Sequence, residues 1–386
     1  MAVFLDHAAT SPLRPEALSA LTEALAELGN PSSTHSHGQA TREILEQARD
    51  KIAAAVGCNR SEVIFCSGGT EANNLAIKGI WWSRKSPVRK VIISSPIEHK
   101  ALLDPIEWLV DNEGAEFLEL PIKSGAVDLA ALEALVAQRQ SEIALISLMW
   151  VNNEIGVITD MERVAELAGK YSIPVHSDAV AALGRVSINF AQSGLTAMSI
   201  SGHKVGAPIG IGALIVRRDA KPISLIHGGG QERGLRSGTM NYSLASSFAA
   251  AAEQAVNQMP ETQLRLKQLR DRIESEVKSA FPSVIITAGD AQRVEHNAHF
   301  IFPGVNNDSL LFLLDQQGVS VSAGSACQAG VLGPSHVLIG MGYSQAQASS
   351  CLRVTLGHTS TESDVEAFVA ALKSAYPKAL SASQSR

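Results

Sequence analysis

The sequence predicts an α/β protein with a mostly parallel sheet, followed by a smaller α+β domain, and three observations carry that prediction. Short β-branched runs recur without polar alternation, as in EVIFC at 62–66, KVIISS at 90–95, IALISLMW at 143–150 and IGALIV at 211–216. Continuous apolar character is the mark of strands covered on both faces. Helical patterns lie between these runs, which is the order of a parallel sheet joined by crossover helices. The composition then changes around residue 258, where NQMPETQLRLKQLRDRIESEV at 257–277 sets a proline ahead of a long charged helical pattern. The expected division is a large domain over 15–257 and a small domain built from 1–14 and 258–386.

Each element follows from its local pattern. In QATREILEQARDKIAAAVG, Ala40, Ile44, Ala48, Ile52 and Val56 recur every four residues as one apolar stripe, and Gly57 supplies the stop. FCSGGTEANNLAIKG reads as a strand, the turn Ser67-Gly68-Gly69-Thr70 and a helix. That arrangement points backbone N–H groups, a hydroxyl and the helix dipole at one spot, as an anion site requires; a plain glycine turn with Thr70 as N-cap uses the same residues. IPVHSDAVAALG places Asp178 after a short strand, where a carboxylate among apolar residues needs a cation or a donor, or else caps a helix. MSISGHKVGAP sets Lys204 among small residues, where the backbone approaches a ligand closely and exclusion of water favours a nucleophilic amine. In the smaller domain HFIFPGV reads as a strand and SLLFLLDQQG as a helix, SCLRVTLG belongs with them, and the terminal ALSASQSR reads as frayed.

Composition excludes several classes. A chain of 386 residues, 45% hydrophobic and 18% charged, buries a large core. The net charge of −6 and the lack of a dense Lys/Arg block leave no footprint for nucleic acid, so small polar or anionic ligands are expected instead. Asp6 interrupts the first apolar run and no later run approaches the ~20 residues of a membrane span, so no membrane association and a cytoplasmic location are expected. The four cysteines form no Cys-x-x-Cys pair and imply neither a disulfide framework nor a zinc ribbon. A metal-hydrolase reading can be assembled from His35 and His37 of STHSHG with His176 and Asp178, on loose spacing. An anion cradle, a carboxylate and a lysine at strand ends together match the needs of pyridoxal 5'-phosphate: a phosphate site, an acid for the pyridine nitrogen and a lysine for the Schiff base.

The motifs SGGTEANNLAIKG, EHKA, VNNEIG, SGHK, HGGGQERGLRSGT and GSAC, spread over about residues 4–375, resemble those of a cysteine desulfurase. The resemblance implies the fold-type-I architecture of pyridoxal-phosphate transferases, with a seven-stranded sheet in the large domain. It implies conversion of L-cysteine to L-alanine, with the sulfur passed to an enzyme cysteine as a persulfide. A sulfur-acceptor protein would receive it, for iron–sulfur cluster assembly or thiolation. Selenocysteine lyase uses a similar site. By the same resemblance Lys204 is the cofactor lysine and the base, Asp178 holds the pyridine nitrogen, and His99 stacks on the ring and moves protons. Gly69, Thr70, Ser201 and His203 contact the cofactor, the last three at its phosphate. Asn153 lies beside the phenolic oxygen and the substrate, Asn30 touches the substrate, and Arg353 grips its carboxylate. Thr239 would reach the neighbouring subunit's phosphate site, implying a homodimer. Ala181 stands where related enzymes place a glutamine.

The cysteines separate by surroundings. Cys66 and Cys351 sit in apolar strands as packing residues, and Cys58 has no chemistry beside it. Cys327, in the small-residue segment VSAGSACQAG of the small domain, has the steric freedom a nucleophile needs.

Overall fold

The computed structural model describes residues 2–324 and 333–384. Its centre is a seven-stranded sheet in the spatial order Val63–Cys66, Gly212–Val216, Ala197–Ser201, Val175–Asp178, Ile143–Met149, Val91–Ser94, Glu116–Glu119. Only Gly212–Val216 runs antiparallel to its neighbours. Six of the seven strands are buried along their whole length, because helices cover both faces and leave no solvated side for polar alternation. The edge strand Glu116–Glu119 is the exception. Asp178 closes one strand in register with Met149 and Ser199 of the flanking strands, and Ser201 ends the next one. The carboxyl ends of the parallel strands therefore converge on one region, where α/β sheets bind ligands.

The helix read around 40–56 spans Ser36–Val56 and stops at Gly57, whose φ of 64° is left-handed. Its apolar stripe is rotated from the expected one. Thr41 and Leu45 are buried while Ala40 and Ile44 are half-buried; from Ala48 onward Ile52 and Val56 face inward as expected. A four-residue repeat drifts by about 40° per step against a 3.6-residue helix, so one straight stripe cannot hold along 21 residues.

A second core forms on a three-stranded antiparallel sheet of Ile285–Ile286, Asn297–Ile301 and Cys351–Thr355. The helix Met259–Ala280 packs on it, and Glu362–Gln384 packs against that helix and shares the same core. Val3 and Leu5 belong to this core as well, because Val3–Phe4 pairs in parallel with Val319–Ser320. The terminal stretch expected to fray is helical as far as Gln384, since Val365, Phe368, Leu372, Ala375 and Ala379 bury one face of that helix. Among the described residues no helix is long and apolar enough to cross a membrane.

Candidate active site

A cavity of about 320 Å³ lies at the carboxyl ends of the strands, between the sheet and the second core. Its anion end starts from the helix Gly69–Arg84, whose N-cap is Gly68 and whose first turn no side chain among the described residues caps. The free N–H groups of that turn carry the positive end of the helix dipole. Gly69 keeps the turn open: a Cβ there would lie 2.6 Å from Val180 Cγ2. Thr70, Ser201 and His203 line the same wall. Burial and the adjacent Lys204 push His203 down to about 4, so its imidazole is neutral at neutral pH.

The acid and the amine come from neighbouring strand ends. Asp178 is 5% exposed and accepts from Asn73 Nδ2 at 2.7 Å and from Val180 N at 2.8 Å. Glu98 is fully enclosed near it, hydrogen-bonded to Ser95 Oγ and Met149 N. Burial, and then the proximity of Asp178, push Glu98 up to about 8 against two stabilising hydrogen bonds, which keeps it largely protonated at neutral pH. Lys204 ends a short 3-10 turn and donates to the carbonyl oxygens of Ala8 at 2.5 Å and Ala9 at 2.8 Å. The segment 8–11 clasps that turn further, with Ser11 donating to Lys204 O at 3.0 Å. His99 caps the helix Lys100–Glu113 by accepting from Ala101 N at Nδ1, which leaves the proton of a neutral ring on Nε2.

Arg353 enters from the strand Cys351–Thr355. Its Nη2 lies 2.8 Å from Asp6 Oδ1 and its Nη1 donates to Asn153 O at 2.9 Å, while Nε is buried with no partner among the described residues. Asn73 Oδ1, Asn153 Oδ1 and Asn297 Oδ1, on residues lining the same cavity, are likewise buried without a partner among the described residues. Buried polar atoms are normally paired. A cavity walled by several orphans, with a glycine-kept anion cradle, a carboxylate and a lysine, fits pyridoxal phosphate carrying an amino acid.

The structure thus brings Gly69, Thr70, His99, Asn153, Asp178, Ser201, His203, Lys204 and Arg353 to one cavity, with the methyl of Ala181 on its wall. It does not bring Asn30 or Thr239 there. Asn30 is exposed and its side chain accepts from Ser32 N, an Asx turn that uses its oxygen locally. Thr239 is exposed on a loop anchored by two ion pairs, Arg49–Glu232 and Arg236–Glu71, each at 2.8 Å. Cys327 lies outside the described residues. Burial pushes the Cys58 and Cys351 thiols up to about 12 and Cys66 higher still, so none of these three is a ready thiolate.

The metal set does not assemble. His176 is locked inside the sheet between Ser147 Oγ and Ser199 Oγ, each at 2.9 Å, and His35 caps a helix. Among the described residues no group of three or more His, Cys, Asp or Glu is placed to hold a metal ion. Asp6, Asn73, Glu98 and Arg185 escaped sequence reasoning. Only Asn73 left a local signal: it stands four residues after Gly69, hence on the same helix face.

Comparison with known proteins identifies the family. Residues 3–368 match the family Aminotransferase class-V. The chain is 46% identical over 381 residues to an IscS-like cysteine desulfurase of Mycobacterium tuberculosis, covering 97% of this chain and 96% of the relative. It resembles the structure of a NifS-like protein from Rickettsia africae with a TM-score of 0.88 and 31% identity, covering 98% of this chain and 100% of that one. It also resembles a structure described as SspA in complex with cysteine, with a TM-score of 0.79 and 31% identity over 92% of this chain and 98% of that one. The chain belongs to the class-V aminotransferase family, as one of its pyridoxal-phosphate-dependent cysteine desulfurases.

Proposed function

We propose that this desulfurase binds L-cysteine with Arg353 and Asn153 on its carboxylate side, and that Lys204 Nζ takes the α-proton. The observation that carries this reading is the convergence of Lys204, Asp178, the Gly69–Thr70 cradle and Arg353 on one cavity from four separate stretches of chain. Pyridoxal phosphate, when bound, supplies the electron sink that makes that proton acidic. Thr70, Ser201, His203 and the helix N-terminus hold its phosphate, and Asp178 holds its ring nitrogen protonated, with Asn73 orienting the carboxylate. Once protonated, Lys204 donates to the Ala8 and Ala9 carbonyls, which accept from an ammonium and so keep it beside the reacting carbon. His99 Nε2 is the second proton carrier. Cys327 receives the substrate sulfur as a persulfide while L-alanine leaves. The bound cysteine of the SspA structure supports the choice of substrate.

The working unit in this reading is a cytoplasmic homodimer that passes its sulfur to an acceptor protein. Thr239 is exposed outside its own cavity, as a residue serving a second subunit would be, and Leu25, Leu28 and Ile209 are exposed by 64%, 77% and 78%. Lys204→Ala tests the reading: the variant should fold, retain no pyridoxal phosphate covalently after borohydride treatment, and form no alanine from cysteine. A variant still labelled by borohydride would show that another lysine serves the cofactor.

A further inference from the structure

Arg185 follows the turn after Asp178 and lines the same cavity. Among the described residues its side chain makes no hydrogen bond and no ion pair. Its electrostatic neighbours are mostly of its own kind. Arg14, which donates to Val205 O and Gln258 Oε1, faces it, and His7, His296 and His358 lie within its field. Among the described residues Glu295 is the opposing charge. Burial and Arg14 push Arg185 down to about 10, so it remains charged at neutral pH.

Arg185 is half-buried and, among the described residues, has no ion-pair partner; a guanidinium held this way on a cavity wall is a candidate partner for an anion entering that cavity. The cofactor phosphate is served by other residues, at the Gly69 and Ser201 wall. Arg353 already shares Nη1 and Nη2 with Asn153 O and Asp6, whereas among the described residues no side-chain donor of Arg185 is committed. A planar guanidinium pairs with a carboxylate through two parallel bonds, and both substrate and product of a cysteine desulfurase carry one carboxylate.

We propose that Arg185 is a carboxylate-binding residue of the active-site cavity, acting in addition to Arg353. The inference rests on the reading that an amino acid occupies this cavity. The carboxylate is either that of the amino acid itself or that of a second small acid held beside it. Among the described residues no hydrogen-bond or ion-pair partner is left unsatisfied when Arg185 is removed, so its variants are expected to unfold at the wild-type temperature.

The test uses the holoenzyme and its Arg185→Gln and Arg185→Lys variants. L-alanine binding is measured by calorimetry against ethylamine, which lacks the carboxylate, and the midpoint of thermal unfolding is followed with added acetate. If the amino acid's own carboxylate is the ligand, Arg185→Gln weakens L-alanine binding by roughly 10- to 100-fold, leaves ethylamine unchanged, and Arg185→Lys recovers part of the loss. If a second acid is the ligand, alanine binding is unaffected, but acetate stabilises the wild type and not Arg185→Gln. Unchanged binding of alanine and unchanged stabilisation by acetate would overturn the proposal. So would an equal loss for ethylamine, or a lower unfolding temperature of both variants, since either means a structural role. A wild-type enzyme that binds alanine through Arg185 yet forms none from cysteine would sink the desulfurase reading and leave this one standing.

Discussion

Asn73 Nδ2 donates to Asp178 Oδ2 across 2.7 Å, tying the second turn of one helix to the end of a strand more than a hundred residues away. The bond joins the two ends of the proposed cofactor site, because the helix that supplies Asn73 also begins at Gly69 and Thr70. A hydrogen bond to a charged group contributes about 1.5 to 3 kcal/mol. Asn73→Ala is therefore expected to weaken pyridoxal phosphate binding by roughly 10- to 100-fold, measured by titrating the visible band. An unchanged affinity would mean that Val180 N alone orients the carboxylate.

Cys327→Ser should bind cofactor and cysteine as the wild type does, yet release neither alanine nor sulfide, because a hydroxyl cannot carry sulfane sulfur. Cys58→Ser and Cys351→Ser should retain turnover, since burial holds both thiols protonated. Full turnover by Cys327→Ser, with loss in either of the other two, would reassign the nucleophile.

Thr239→Ala and Lys204→Ala should each be inactive alone. Mixed under conditions of subunit exchange they should regain part of the wild-type rate, as each heterodimer holds one intact site. If exchange is demonstrated and no activity returns, Thr239 does not act across the dimer.

Ala181 lines the cavity with a methyl that offers no hydrogen-bond donor; the family resemblance implies that this position faces the cofactor's phenolic oxygen. Ala181→Gln should stabilise negative charge on that oxygen, so that it holds its proton less tightly. The midpoint of the pH transition in the visible band should then fall. One charged hydrogen bond corresponds to about one to two pKa units. An upward shift, or none, would indicate that a different donor such as Asn153 already serves the oxygen.

Local features were legible in the sequence because their causes are local. Short, β-branched apolar runs such as Val63–Cys66 and Ile143–Met149 suit strands sandwiched between helices, and Gly57 ends its helix by a backbone conformation that other residues resist. The ordered motifs around Gly69, His99, Asp178 and Lys204 likewise marked the cofactor chemistry, since each is a short segment whose residue types state what it can bind. What sequence could not settle were contacts between distant segments. Asp6 meets Arg353 across 347 positions, Lys204 meets Ala8 across 196, and Glu98 is driven up by enclosure that no neighbour in sequence provides. The same reason separates Arg185 from ordinary surface arginines and leaves Asn30 and Thr239 outside the cavity. Residue type sets which charge or hydrogen bond is available. Which partner it meets, and how much water remains between them, is decided only when strand ends from both cores close around one space.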